Sequence, residues 1–529
     1  MGLNEIIFYP VDNMTQNYDI IVVGGGLGGL AAASFSAKAG KSVLVLERHK
    51  IPGGYCTDYR RGKYLIDSSV HYLGTPSIFR EIFSALGVED MVTVAPMDPE
   101  GFDVYRFPDL EFHVPATPDA LRDRLLEHFP KEKKGIERYI KNLKNFVTLS
   151  QRIRYGRTAG FYLGFPFKYT RLVPYMKASL QNYLDKLSSD IRLKAVLGAQ
   201  WGIHGEPPSR VPLFVSLGGT AHYHEGGWYP KGGTGTISKA FAAALEKYGG
   251  AIRTRCEVVK VNTEAGRATG VELKGGEKIM GRTVVMAQDL WDGFDRLLAG
   301  APVKKGLPEL VKRTEPSASM IHLHVGLSSV PDSWKWKSCN IWSYPNYDFD
   351  EIYRDMEREI LPEKLSTFTS VSYRKNPECD PKGNGKFMPS VTILGIVHYK
   401  HFKPYMSMRG KTRTDEYKKL KKRIEKRLLM EAEKIFPGIT ERAKYIEVAT
   451  PFTQYRYTLN KFGGSYGFAR TTDNWFVGKP PWCHPLKNVW WTGANAGFHG
   501  VMGAIQAGIE TASEVTGVGI RKLLLTSEV

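Results

Sequence analysis

Two short apolar runs near the start of the chain bracket an alanine-rich stretch. Residues 18–23 (YDIIVV) and 42–46 (SVLVL) are apolar and rich in β-branched side chains, with no polar alternation. Runs this short and unbroken read as strands buried on both faces, the signature of a parallel sheet. Residues 30–39 between them predict a helix, stopped by Gly40. The same order returns near the far end. Residues 488–493 (NVWWTG) predict one more buried strand, 494–500 a glycine loop, and 501–508 the opening of a helix of small residues. In the middle, 237–247 predicts an amphipathic helix ended by Gly249 and Gly250. After it, 251–261 reads as a strand, and 268–274 with 278–286 as a small β-meander. The second half of 400–427 predicts a helix. No run of 18 apolar residues occurs, so no helix is expected to span a bilayer, and residues 1–17 lack a signal-peptide pattern.

The loop after the first strand, Gly24-Gly25-Gly26-Leu27-Gly28-Gly29, satisfies G-x-G-x-x-G at Gly24, Gly26 and Gly29. Gly24 allows a tight turn, Gly26 lets backbone approach a pyrophosphate, and Gly29 lets helix and strand pack closely. The helix start offers free N–H groups and a positive dipole end to phosphates. Glu47, at the end of the second strand, can accept both hydroxyls of an adenosine ribose. Strand, glycines, helix, strand and acid in this order point to a dinucleotide.

Glu47-Arg48 followed by Ile51-Pro52-Gly53-Gly54 resembles the extended fingerprint of glutathione-reductase-type FAD proteins, above all their amine oxidase and phytoene desaturase branch. The resemblance implies an α/β fold: a Rossmann-type FAD-binding domain with an inserted α+β substrate domain. It implies FAD held by Gly24, Gly26, Leu27, Gly28, Gly29, Glu47, Arg48, Gly53 and Gly54, with Val258 giving backbone contacts to adenine. At the flavin end it implies Gly493, Asn495, Gly500, Val501 and Met502. The family usually carries Asp where this chain has Asn495, which can hydrogen-bond a ribityl or phosphate oxygen but brings no charge. Three further segments narrow the branch: Gly53 to Thr57 leading to Asp67-Ser68-Ser69-Val70-His71-Tyr72-Leu73-Gly74; His222-Tyr223-His224-Glu225-Gly226-Gly227; and Thr450-Pro451-Phe452-Thr453 before Gly463-Gly464-Ser465-Tyr466-Gly467. These are similar to retinol saturase, the carotenoid isomerases and the phytoene desaturases, over about 18–515. The expected units are FAD-binding parts at 17–100, 228–300 and 450–515, substrate parts at 101–227 (membrane-facing) and 301–449, and a tail at 516–529. The implied reaction is saturation, desaturation or flavin-assisted cis–trans isomerisation of double bonds in a long apolar isoprenoid or polyene, such as a carotenoid or retinoid. Two rivals stand beside it: an amine-oxidase-like flavoenzyme, and a non-catalytic flavin-binding escort at a membrane.

Candidate catalytic groups are His71 and Tyr72, which follow the glycine pair; His222, His224 and Glu225 in an aromatic cluster; and His499 at the second helix start. His222 and His224 have no third ligand at diagnostic spacing, so no metal is expected. Arg470 is expected to meet a phosphate or a surface carboxylate. Lys plus Arg is 73 against 54 Asp plus Glu, a formal charge of +19, and aromatics make up 12%. Charge of this sign favours an anionic partner. With no nucleic-acid module in view, basic plus aromatic fits a membrane surface, reached peripherally, and no nucleic acid is expected. Two segments carry that expectation: basic 152–157 before aromatic 161–169, and 400–427, with twelve Lys or Arg against Asp415, Glu416 and Glu425. A buried cap and a solvated helix face are the respective alternatives. No second nucleotide fingerprint is present, so the electron donor or acceptor is left open among quinone, oxygen and a small redox protein. Five scattered cysteines without a CxxC point to a reducing compartment.

Overall fold

The computed structural model describes residues 17–154, 178–380, 382, 385–476 and 478–525. The two apolar runs are adjacent parallel strands, Asn17–Val23 and Val43–Leu46, joined through the helix Leu27–Lys38. Residues 20–23 and 43–46 are buried, as strands covered on both faces must be. Lys278–Met286 and Val489–Trp491 extend the sheet in parallel on one side, and Ala251–Arg253 on the other. The register sets Val23 opposite both Leu46 and Met286, and Met286 opposite Trp491. The strands therefore finish at one edge, where the chain leaves at Gly24, Glu47, Ala287 and Thr492. Backbone bonds of 2.8–2.9 Å pin that edge: Gly24 N–H donates to Leu46, Ala287 to Val23 and Thr492 to Met286. In open α/β sheets this carboxyl edge is where ligands bind.

The strand expected at 251–261 is two strands. Arg255, in the left-handed region at φ 57°, turns the chain between Ala251–Arg253 and Val258–Glu264. The first joins the parallel core; the second begins an antiparallel meander with Arg267–Leu273. That meander hangs from the first half of Lys278–Met286, pairing at 278–280, while Val489–Trp491 pairs at 284–286 on the same side.

A second sheet runs in the order Ala443–Ala449, Ser319–Leu327, Ser390–Val397, Thr367–Ser370, Asn340–Ser343, Asp103–Arg106, Glu111–Val114. Its strands come from both stretches assigned above to the substrate unit. One face packs on the helix Asp415–Glu433 through Leu420, Ile424, Leu428 and Ala432, the four-residue spacing of a single helical stripe. Ile321, Leu323, Val325 and Ile393 meet it from the sheet. The other face is turned to a cavity.

The first and last parts of the sequence touch backbone to backbone. A Cβ on Gly28 would stand 2.4 Å from Gly493 Cα, and one on Gly508 would stand 2.5 Å from Gly28 O. The helix Gly500–Thr516 thereby lies against Leu27–Lys38, its principal packing partner. Gly28→Ala should cost about 1–3 kcal/mol, the usual range for overpacking, seen as a lowered unfolding midpoint in urea or heat.

Candidate active site

A cavity of about 1090 Å³ starts at the common strand edge and continues to the free face of the second sheet. At the strand edge, Gly24 adopts φ +104° and Gly26 faces open space, with nothing within 4 Å of where a Cβ would stand. Gly29, by contrast, is packed: its Cβ would fall 2.2 Å from Gly24 O. The helix Leu27–Lys38 begins with no side chain capping its N–H groups, and so does Gly500–Thr516, whose first residue has φ +76°. Two uncapped helix starts thus line one cavity, each with free donors and a positive dipole end. Glu47 accepts the Gly25 N–H at 2.8 Å on one oxygen and the His49 N–H at 2.6 Å on the other. Each oxygen keeps a second lone pair for a ribose hydroxyl. Gly53 donates its N–H to Gly25 O at 2.6 Å, and Gly54 lies over Gly26, where a Cβ would stand 3.3 Å from its Cα. An open glycine cradle, an acid at the second strand end and two uncapped helix starts are a donor set that fits FAD.

Other expected cofactor residues have partners of their own. Arg48 donates to the carbonyls of Arg456 (3.1 Å) and Tyr457 (2.6 Å) at the end of the helix Pro451–Thr458. Val258 lines the cavity while its carbonyl accepts from Arg296 at 2.9 Å. Asn495 holds a neighbouring loop, its Oδ1 accepting from Phe468 N–H at 3.2 Å. Leu27, Gly28, Gly493, Val501 and Met502 line the cavity.

The far end is built by strand alternation. On Ser319–Leu327, Met320, His322 and His324 face the cavity, while Ile321, Leu323 and Val325 face the core at 0% exposure. The register carries His322 across to Leu394, Phe368 and Trp342 on successive strands, so one apolar and aromatic row lines the wall. His71 stands against it, its ring 6.3 Å from His322 and 5.7 Å from Phe368. His71 is buried, and among the described residues neither ring nitrogen has a hydrogen-bond partner. Burial, then the Lys375 ammonium, hold its pKa well below the ordinary histidine value, so the ring is neutral. Burial also brings His322 and His324 down to about 3. Tyr72 donates its hydroxyl to Asp103 at 3.1 Å and stacks on Tyr223 at 4.6 Å.

The cluster at 222–225 divides. His222 Nε2 accepts from Gly74 N–H at 3.0 Å, so its proton sits on Nδ1 and faces Thr75 Oγ1 at 3.0 Å. Both nitrogens are used to hold the turn at 74–75, where Thr75 is left-handed at φ 46°. His224 lines the cavity, with Nδ1 2.8 Å from the Ala221 carbonyl. Glu225 does not line it. Its carboxylate accepts from Ser77 Oγ at 2.6 Å and faces the Ser77 N–H at 3.4 Å, in the first turn of the helix Pro76–Leu86. Acid at a helix start is favoured there by the dipole. His499 Nε2 pairs with His204 Nδ1 at 3.0 Å, beside the Tyr466 ring. Burial, then Arg470, keep both of these rings neutral, His204 at about 3. Among the described residues Arg470 itself meets no carboxylate, and it does not line the cavity. Its guanidinium is buried and donates to the carbonyls of Tyr466, Phe468, Ala494 and Gly497, because a five-donor fork can tie two loops at once. The aromatic stretch 161–169 lies outside the described residues. Among the described residues no helix is long and apolar enough to cross a membrane.

His204, His322, His324 and Tyr466 also line the cavity, and none stands among the candidate catalytic groups of the sequence. For His322 and His324 a signal existed: polar residues two apart in an otherwise apolar strand (SMIHLHVGL) mark a face that meets something other than core.

Residues 19–316 match the FAD dependent oxidoreductase family (DAO). An all-trans-retinol 13,14-reductase of Danio rerio is 26% identical over 540 residues, spanning 96% of this chain and 87% of that protein. A chloroplastic prolycopene isomerase of Daucus carota is 27% identical over 476 residues, 86% of this chain and 72% of that protein. Among solved structures, the cyclohexylamine oxidase of Brevibacterium oxydans superposes with a TM-score of 0.59 at 16% identity, covering 96% of this chain and 100% of that one. That likeness is one of fold.

Gly26→Ala puts a methyl group into open space, so the unfolding midpoint of the flavin-free protein should stay where it is. Flavin retained through gel filtration, read by absorbance, should fall.

Proposed function

The chain belongs to the FAD dependent oxidoreductases, and on that footing we propose that it reduces or isomerises carbon–carbon double bonds of a long apolar polyene of retinoid or carotenoid kind. The observation that carries the reading is the continuity of one cavity from the glycine cradle to the row of His322, Leu394, Phe368 and Trp342. A polyene offers almost no polar handle, so its site must be apolar and aromatic with few polar groups. In that row the polar group is a neutral imidazole, and the carboxylate on the next strand, Glu447, is already taken by Arg61, Tyr59 and Tyr445, which argues against a polar amine. The retinol reductase and prolycopene isomerase names of the relatives point the same way.

Bound FAD supplies hydride acceptance or donation. The free N–H groups at the start of Leu27–Lys38 bind its phosphates, and Glu47 takes ribose hydroxyls. The start of Gly500–Thr516 turns a positive dipole end to the cavity and favours negative charge there. Trp342 and Phe368 hold the polyene and exclude water. His71, neutral, presents one N–H and one lone pair and holds or passes a proton at Nδ1 or Nε2. His204 and His499 share a proton along their N–H···N bond.

Contact with an anionic membrane surface belongs to the same reading, since the substrate dissolves in lipid. The helix Asp415–Glu433 buries one stripe and exposes Lys418, Lys419, Lys422, Arg423 and Lys426. Each basic residue near such a surface contributes up to about 1 kcal/mol.

Two experiments test this. Incubating the FAD-loaded protein, oxidised or anaerobically reduced, with retinoids and carotenoids in liposomes should give a product heavier by two hydrogens, or one of equal mass and altered retention. A polyene panel unchanged in both mass and retention with either flavin state would overturn the reading in favour of a flavin-binding escort. Replacing Lys419, Arg423 and Lys426 with Ala should weaken sedimentation with anionic liposomes at low salt, and equal sedimentation would remove the membrane part.

A further inference from the structure

Two neighbouring residues of the cavity wall are gripped by opposite charges. The Lys375 ammonium donates to the His71 carbonyl at 2.6 Å, to Asn340 Oδ1 at 2.9 Å and to Ser370 Oγ at 2.5 Å, which uses all three of its protons. Asn340 Nδ2 donates to Asp103 Oδ1 at 2.9 Å. Asp103 Oδ2 accepts from the Tyr72 hydroxyl at 3.1 Å and from Gln200 at 3.1 Å. The path runs from the carbonyl of residue 71 to the side chain of residue 72 and closes through the peptide bond between them. It is built by register: Asp103, Asn340 and Ser370 are direct cross-strand neighbours on three adjacent strands, and Lys375 ends the short helix just after Ser370. Lys375 is 1% exposed and Asp103, Asn340 and Ser370 are 0% exposed.

Burying two charges without direct contact is an expensive way to stabilise a fold, since an apolar core of the same volume does as well or better. What such a circuit gives instead is one geometry. Lys375 takes hold of residue 71 by its backbone, which leaves both imidazole nitrogens without a hydrogen-bond partner among the described residues and sets the ring against the aromatic row. Resting on the polyene reading of the cavity, we propose that Lys375 and Asp103, joined through Asn340, are positioning residues that set where the His71 ring stands and keep Tyr72 beside it. Lys375 also acts on the ring by charge, as one of three titratable groups facing it with His322 and His324. The ammonium in turn faces Asp67, Asp103 and Cys339; burial draws its pKa down to about 7, so the circuit is complete on the acid side of that value.

The test uses FAD-loaded protein with histidine ring labels, the His71 signal being assigned by its loss in His71→Gln. Lys375→Met removes the donors and the charge. It should raise the His71 pKa and lower kcat by about 10²-fold, the cost of a misplaced reacting group, with KM little changed. Lys375→Arg keeps the charge on a planar fork that cannot meet the same three oxygens. It should leave the His71 titration suppressed, lower kcat, and abolish the loss of rate expected of the parent as pH rises through about 7. Lys375→Met with Asp103→Asn removes both charges and should recover thermal stability without recovering kcat. An unchanged His71 titration in Lys375→Met, full kcat in Lys375→Arg, or kcat returning together with stability in the double variant would each overturn the proposal. If the parent turns over no polyene, the polyene reading fails, while the His71 titration still decides the coupling.

Discussion

Close approach of two glycines, Gly28 and Gly493, is the contact on which the rest of the site depends. It sets the helix Gly500–Thr516 directly against Leu27–Lys38 and brings two uncapped helix starts to one cavity. A side chain at Gly28 would push the two backbones apart, while Gly493 is held to glycine by its left-handed backbone at φ +78°. A dinucleotide cofactor is long, and its two ends need favourable electrostatics in different places. The chain meets that need by folding one glycine turn from its first strand and another from its last onto the same sheet edge.

The second sheet solves a complementary problem. A sheet face must be covered, and here one face is closed by the helix Asp415–Glu433 while the other is left for a ligand. Alternation along each strand then sorts chemistry without further machinery: Ile321, Leu323 and Val325 go to the core, Met320, His322 and His324 to the cavity. The buried imidazoles are kept neutral by desolvation, so the row of His322, Leu394, Phe368 and Trp342 recognises shape and offers single hydrogen bonds, while charge enters the lining on the neighbouring strand at Glu447, opposite His324.

The nucleotide half of this arrangement was legible in the sequence because its determinants are local. A strand, a glycine turn, a helix and an acid follow one another within about thirty residues, and each glycine has its own steric reason. The wall of the cavity was less legible. His222 and Glu225 stand in a conspicuous cluster, yet His222 lines the cavity with both ring nitrogens spent on a turn, and Glu225 serves a helix start outside it. His322 and His324 look like ordinary strand residues until the register shows which face they share. Arg470 reads as a surface or phosphate group and is a buried tie between loops. The Asp103, Asn340 and Lys375 circuit spans more than 270 positions in sequence and exists only through strand pairing, so no local pattern announces it.

The divided side of the strand Lys278–Met286 has a consequence for how the molecule is made. Its first half pairs with the meander that precedes it in sequence, its second half with Val489–Trp491, some two hundred residues later. During synthesis the early segments can assemble a partial sheet, but half of one strand stays an open template until the last strand arrives. Pairing of such separation is slow, and an exposed edge invites association with other chains meanwhile. The cofactor cradle is likewise incomplete until Val489–Trp491 and the helix start after it have been made, so the two ends of the cofactor site are completed at different times in synthesis.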